Sequence, residues 1–151
     1  MNFLSYLAVS IVSFLGLAVG VILARVSPEE MPTGRKFFPL LERAVLVAIA
    51  AIFINLFVES IYVRVPLYLL AIILLSFRLE PNIVYPLLAF PFFLSSIYLN
   101  AFTAISALIF VYGLPAGSLY AVKGNIAAAK FVLSKLTFVL LAVAIYLILA
   151  V

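Results

Sequence analysis

The amino-acid sequence predicts an all-α integral membrane protein, a compact bundle of about six transmembrane helices with no extramembrane domain. Its 151 residues are 69% hydrophobic and 9% charged, with a mean hydropathy of +1.42. Soluble domains are about 45–50% apolar and about 25% charged, so this composition excludes them. The apolar runs are continuous rather than alternating, which favours helices over the strands of a membrane barrel. We therefore expect one integral membrane domain over residues 1–151.

Apolar runs give the predicted spans, at about 3–24, 37–58, 61–77, 83–98, 101–112 and 127–151. The first is longer than the apolar core of a signal peptide and has no basic leader, so we expect it to be retained as a helix. As a single helix, the 83–112 stretch would be about 45 Å long, against a bilayer core of about 30 Å. Two helices that turn near Tyr98 to Asn100 are therefore expected. The alternative is five spans with one long, kinked helix.

The distribution of basic residues predicts the orientation in the cell membrane. With six spans, the loops 25–36, 78–82 and 113–126 lie on one side and carry most of the Lys and Arg, while the opposite loops carry only Arg64. The positive-inside rule makes the basic loops cytoplasmic and both termini external. The lipid bilayer is then the expected partner, with anionic headgroups at the basic loops. A second copy or a membrane complex is also open, whereas basic residues scattered singly between apolar runs argue against nucleic acid.

The residue types that the chain lacks narrow its chemistry. Cys, His, Asp, Gln and Trp are all absent. Zinc sites, His-based proton transfer and paired aspartates therefore have no residues to form them. We expect no metal, no cofactor and no catalytic residue, and we expect that the protein is not an enzyme.

Four polar residues of the predicted second helix are candidates for function: Glu42, Arg43, Asn55 and Glu59. Ionisable residues within a membrane are expensive to bury and mark function by default. Glu42 and Arg43 lie only about a turn and a half inside the predicted helix, so a snorkelling interfacial pair is the simpler interpretation. Glu59 is one turn from Asn55, and a surface ion pair with Arg64 is the simpler interpretation of it.

Two further faces stand out on the first and last helices. Gly16, Gly20 and Ala24 form a small-xxx-small ladder, which predicts close packing against another helix, preferably of the same chain. Lys130 and Ser134 share a face with Thr137, and we expect it to point inward because polar groups avoid hydrocarbon. The segment 113–117, which contains two glycines and a proline, is expected to be a plain turn.

These features favour a transporter or channel-like protein for a small solute or ion. Its central group would be Glu42 or Glu59, because a buried carboxyl can exchange a proton for a cation. The alternative is a structural or assembly subunit of a larger membrane complex, which needs only helix faces and short basic loops.

Overall fold

The computed structural model describes residues 2–76, 80–122 and 124–149, and all regular secondary structure in these ranges is helical. A 3-10 turn, Pro28–Glu30, lies between the first two helices. The helices are α1 Phe3–Val26, α2 Met31–Phe57, α3 Ile61–Ser76, α4 Pro81–Ser95, α5 Leu99–Ala121, α6 Asn125–Ser134 and α7 Thr137–Leu149. The last two helices are halves of one kinked apolar stretch, Ile126–Leu149. Within the described residues the fold is thus a bundle of six helices, with α6 and α7 counted as one, and four of the six are long and apolar enough to cross a membrane.

Helices α1 and α5 run parallel and form the most extensive interface of the bundle. The backbone of Gly16 lies against the carbonyl group of Phe110, and that of Gly20 lies against Leu114 one turn further on. Any side chain at either glycine would collide with the α5 backbone. Small residues allow this approach in a bilayer, where van der Waals contact must replace a hydrophobic driving force.

The α5 side of this interface is built in the same way. Gly113 and Gly117 lie against the α1 backbone at Gly16 and Leu17. The Ser118 hydroxyl donates to the Gly20 carbonyl at 2.9 Å, across the gap that the glycines leave. Two glycine pairs with the same four-residue spacing therefore interlock.

An aromatic layer joins the N-terminal end of α1 to α4, α5 and α7. The Tyr6 ring lies 5.1 Å from Phe92 and 4.5 Å from Tyr146, measured between centroids. Its hydroxyl donates to the Ala142 carbonyl at 3.1 Å. Because this contact pairs the start of α1 with the end of α7, the two helices are antiparallel.

Helix α3 lies at the edge of the bundle and packs chiefly against α2. The turn between them is closed by Arg64, whose Nε donates to the carbonyl of Val58. With 16 and 15 residues, α3 and α4 are shorter than the other spans, at about 24 and 22 Å. Each contains proline, which a membrane helix tolerates when neighbours satisfy the freed carbonyls.

The bundle has two distinct ends. Ser27, Glu80 and Gly124, in the connections α1–α2, α3–α4 and α5–α6, lie at one end, together with Arg25 and Arg35. We call this the basic end. The residue preceding α1 and the connections at 58–60 and 96–98 lie at the opposite end.

Several predicted boundaries were wrong. The predicted 113–126 loop is helical as far as Ala121, because its glycines pack against α1 instead of turning the chain. The predicted 25–36 loop shrinks to Ser27 and the 3-10 turn, because Pro32 occupies the second position of α2, where no backbone N–H is needed. The helix predicted at 127–151 is broken after Ser134. Positions 77–79, 123, 150 and 151 of the predicted elements lie outside the described residues.

Other predictions agree with the structure. The all-helical bundle is confirmed. The stretch 83–112 forms two helices, with the turn at 96–98.

Candidate functional site

A cluster of polar residues lies toward the basic end of the bundle: three of its members are buried, Glu42 is half-buried and Asn82 is exposed. We define it as Glu42, Asn82, Tyr85, Tyr112 and Lys135, which come from α2, α4, α5 and the kink between α6 and α7. Each of these helices is largely apolar. The polar groups converge only because the helices pack together.

Two tyrosines form the centre of the polar cluster. Tyr85 on α4 is completely buried, Tyr112 on α5 is 1% exposed, and their ring centroids are 5.5 Å apart. The Tyr85 hydroxyl has no hydrogen-bond partner among the described residues. Leaving a buried hydroxyl unsatisfied costs about 1–3 kcal/mol, so such a group requires an explanation.

Glu42 reaches the tyrosines from α2. One carboxylate oxygen is shut off from the surface, and the carboxylate acts electrostatically on both phenols. Because α2 begins at Met31, Glu42 lies three turns, about 16 Å, from the start of its helix. That distance along the helix is twice what the predicted boundary implied.

The Lys135 side chain enters from the kink in the last span. Only 3% of Lys135 is exposed, its Nζ donates to the side-chain oxygen of Asn82, and the ammonium lies 5.0 Å from the Phe131 ring centroid. The amide oxygen and the ring face both favour a cation. Lys135 therefore ties the kink to the start of α4.

The kink itself is a local change in backbone hydrogen bonding. Leu136 donates to the carbonyl three residues back, at 3.2 Å, and so does Phe138, at 3.0 Å. Hydroxyl groups take part in the changed pattern. Ser134 donates to the Phe131 carbonyl at 2.7 Å, and Thr137 donates to the Ser134 carbonyl at 3.1 Å. Ser and Thr side chains that bond backward in this way bend helices.

An aromatic pair separates the polar cluster from the basic end. The rings of Tyr120 and Phe131 are stacked, with centroids 3.5 Å apart and planes at 4°. Phe131 is also the ring beneath the Lys135 ammonium. The same side chain therefore contacts both the outer aromatic pair and the polar cluster.

An apolar groove lies beside the polar cluster, between α2 and α4. Its cavity volume is about 230 Å³, and its walls include Leu46, Ile49, Phe53, Val84 and Leu88. Positions 42, 46, 49 and 53 follow one face of α2 at helical spacing, so Glu42 lies at the basic-end limit of the groove.

The remaining predicted candidates are dispersed. Arg43 is half-buried, while Asn55 is exposed and donates to the Ala51 carbonyl at 3.1 Å. Glu59 is exposed in the α2–α3 connection and is not helical. Glu59 and Asn55 thus do not share a helix face with Glu42 at the polar cluster.

The face of the last span that was expected to point inward points outward. Lys130, Ser134 and Thr137 are all exposed. The two hydroxyls can face outward because they bond to carbonyls of their own span. The predicted small-residue ladder is buried along α1; it consists of Gly16, Gly20 and Ala24. The two glycines lie against α5.

Sequence reasoning selected one member of the polar cluster, Glu42, and missed Asn82, Tyr85, Tyr112 and Lys135. Lys135 is five residues from the selected Lys130, which places the two on different sides of the helix. The tyrosines resemble ordinary membrane aromatics until their neighbours are known. These residues could be found only from the way the helices pack against each other. The spacing of residues within one helix does not carry that information.

The described residues contain no group of three potential metal-binding side chains. Comparison of the chain with protein-family models, curated proteins and solved structures finds no match. The polar cluster itself must therefore guide a functional interpretation. It offers one carboxylate, two phenols and an ammonium–amide pair within an apolar bundle.

Proposed function

We propose that this protein is a small transporter in the cell membrane, and that the polar cluster is its solute site. The observation that carries the proposal is the completely buried Tyr85 hydroxyl, which lacks a protein partner among the described residues and lies within the electrostatic reach of Glu42. A bound small cation would be attracted to the oxygen of this hydroxyl and would supply the missing polar interaction. That gain would offset the cost of keeping the hydroxyl in an apolar interior.

The kink at Lys135–Leu136 supports this interpretation. Transporters commonly place their binding sites where a membrane helix is interrupted, since the interruption frees backbone groups and permits movement. Here the interruption is tied to α4 through the Lys135–Asn82 hydrogen bond. A movement of side chains at the polar cluster would therefore affect both α4 and the last span.

Glu42 is the group that we assign to proton-coupled exchange of a small cation. Glu42 is half-buried and acts electrostatically on two buried phenols, whereas Glu59 is exposed at the opposite end. A carboxylate attracts a cation, and aromatic faces add to this attraction where water is excluded. Protonation of Glu42 would release the cation, which gives one-for-one exchange.

Proteoliposomes with a trapped pH-sensitive dye test this proposal. We would add Na⁺, K⁺ or tetramethylammonium outside and follow proton movement in response. Glu42→Gln should reduce the response to that of protein-free liposomes, while Glu59→Gln, the matched control, should retain it. Transport that is normal in the Glu42→Gln protein would overturn the carboxylate mechanism.

A structural or assembly subunit is the second candidate, and α3 favours it. This helix packs chiefly against α2, and its described side chains include none that is buried. The exposed residues are large and apolar, among them Ile61, Leu69 and Ile73. A neighbouring membrane protein would cover such a face in the same way as lipid does.

Extraction in a mild detergent distinguishes the two candidates. An assembly subunit should be purified with a partner in fixed stoichiometry, and a charged residue on α3, as in Leu69→Glu, should release it. A single monodisperse species that is active in proteoliposomes would exclude this second candidate.

A further inference from the structure

A basic pocket lies at the surface of the basic end, away from the polar cluster. It has a volume of about 350 Å³ and is formed where α1 and α5 end and α2 begins. Arg25 and Arg35 line it from opposite sides of the 3-10 turn, together with Pro28, Pro32 and Ala121. Both arginines are exposed, and neither side chain has a hydrogen bond or ion pair with a described residue.

A second cavity, of about 250 Å³, lies next to the basic pocket, between α1, α2 and α5. Ala24 and Met31 line both cavities, so the two spaces adjoin. The walls of the second cavity are mainly apolar and include Leu23, Leu41 and Leu114. We call it the tail crevice.

We propose that these two cavities form a binding site for one anionic phospholipid. The phosphate would lie between the guanidinium groups of Arg25 and Arg35, and an acyl chain would follow the tail crevice toward the bundle. Guanidinium groups bind phosphate oxygens through paired, charge-assisted hydrogen bonds. Basic pockets between membrane helices at the cytoplasmic side suit anionic headgroups.

The arrangement argues for a lipid instead of a free anion. A free phosphate would use only the two arginines, whereas a phospholipid would also fill the adjoining apolar space. The ends of three helices meet around this site. A bound lipid would therefore hold together the ends of α1 and α5 and the start of α2.

Native mass spectrometry of the full chain in an uncharged detergent tests this site. The protein would be incubated with equal amounts of phosphatidylglycerol and phosphatidylcholine that carry identical acyl chains. We expect one phosphatidylglycerol to be retained preferentially. The double variant Arg25→Gln/Arg35→Gln should reduce its retention at least tenfold. Lys36→Gln is the matched control, because it removes an exposed neighbouring charge that does not line the pocket.

The tail crevice is tested separately with Leu41→Trp, which narrows it without a change in charge. This variant should reduce phosphatidylglycerol retention while protection against thermal unfolding by inorganic phosphate stays unchanged. It also keeps the proposal testable if the double arginine variant does not fold.

Three results would overturn the proposal. Equal retention of phosphatidylcholine would show that the charge is not recognised, and equal loss in Lys36→Gln would show diffuse attraction. Inorganic phosphate that protects the protein as well as phosphatidylglycerol does would identify a free-anion site. None of these measurements depends on transport, so failure here is distinguishable from failure of the proposed function.

Discussion

Tyr6 and Tyr85 are two fully buried phenols whose hydroxyl groups have opposite surroundings. The Tyr6 hydroxyl donates to the Ala142 carbonyl, whereas that of Tyr85 has no partner among the described residues. A buried hydrogen bond contributes about 0.5–1.5 kcal/mol net, while an unsatisfied buried hydroxyl carries a penalty of about 1–3 kcal/mol. The same chemical group therefore stabilises the fold at one position and destabilises it at the other.

Removal of each hydroxyl should have opposite effects on stability. We expect Tyr6→Phe to lower the free energy of unfolding by about 1 kcal/mol and Tyr85→Phe to leave it unchanged or raise it by about 1 kcal/mol. Reversible unfolding in mixed detergent micelles, followed by circular dichroism, measures both. Because each variant loses the same atom, either serves as the control for the other. A loss of stability in Tyr85→Phe as large as that in Tyr6→Phe would mean that its hydroxyl is satisfied in the membrane.

The glycines at the α1–α5 interface should tolerate no side chain. In Gly117→Ala the added methyl group would meet the α1 backbone at Leu17, and a backbone cannot rotate away. We expect a loss of about 1–3 kcal/mol, the usual cost of overpacking, measured by unfolding in mixed micelles. Gly34→Ala is the control, because its methyl group would meet only the Phe38 ring, which can move. Equal losses in both variants would indicate an effect of the helix backbone rather than of packing.

At the residue scale, the sequence was informative where one residue type decides the outcome. A glutamate within an apolar run is recognised as a candidate from its residue type alone, and one such residue, Glu42, is in the polar cluster. The four-residue spacing of Gly16 and Gly20 is enough to predict a close helix contact. A tyrosine cannot be recognised in this way, because the same residue type occurs in the core, at interfaces and in ligand sites. Tyr85 and Tyr112 become distinctive only when α4 and α5 are packed together.

At the scale of elements, glycine and proline misled the boundary predictions. In soluble proteins these residues break helices, and the segment Gly113-Leu-Pro-Ala-Gly117 was accordingly predicted as a turn. In a membrane helix the same glycines form a packing face, and Pro115 is buried within α5. Hydropathy located the helices because it sums the preference of the side chains for an apolar environment over a whole span. The ends of helices depend on neighbours, which a local pattern does not include.

The kink depends on a pair of residues from different elements, Asn82 on α4 and Lys135 between α6 and α7. We expect Asn82→Leu to destabilise the protein by about 2 kcal/mol, because it removes the acceptor of a largely buried ammonium. Lys135→Leu in the same background should add little. The double-mutant cycle should give a coupling energy of about 1.5–3 kcal/mol in unfolding measurements.

The control for this cycle pairs Asn82→Leu with Ser118→Ala, whose hydroxyl acts at the α1–α5 interface. Those two changes share no partner and should add within about 0.5 kcal/mol. If the stability effects of Asn82→Leu and Lys135→Leu were also additive, the proposed link between α4 and the kink would be contradicted.

At the scale of the whole molecule, charge and packing agree on one arrangement. The parallel pairing of α1 with α5 and the antiparallel contact of α1 with α7 place Ser27 and Gly124 at the same end. Arg25, Arg35 and Lys36 lie at that end, whereas Arg64 lies at the other. The positive-inside rule therefore predicts that the basic end is cytoplasmic and that the chain crosses the membrane six times.

Single cysteines test this topology cleanly, because the chain has none of its own. Ser27→Cys and Val122→Cys lie at the basic end, and Ser60→Cys and Leu99→Cys lie at the opposite end. Val122 is preferable to Gly124, since Gly124 has a φ of 104° that a side chain would strain. In intact cells an impermeant maleimide should label the second pair, and the first pair should react only after permeabilisation. Labelling of Val122→Cys in intact cells would show that the α5–α6 connection is outside the cell. The positive-inside assignment would then fail for this chain, and Arg25 and Arg35 would face the external leaflet.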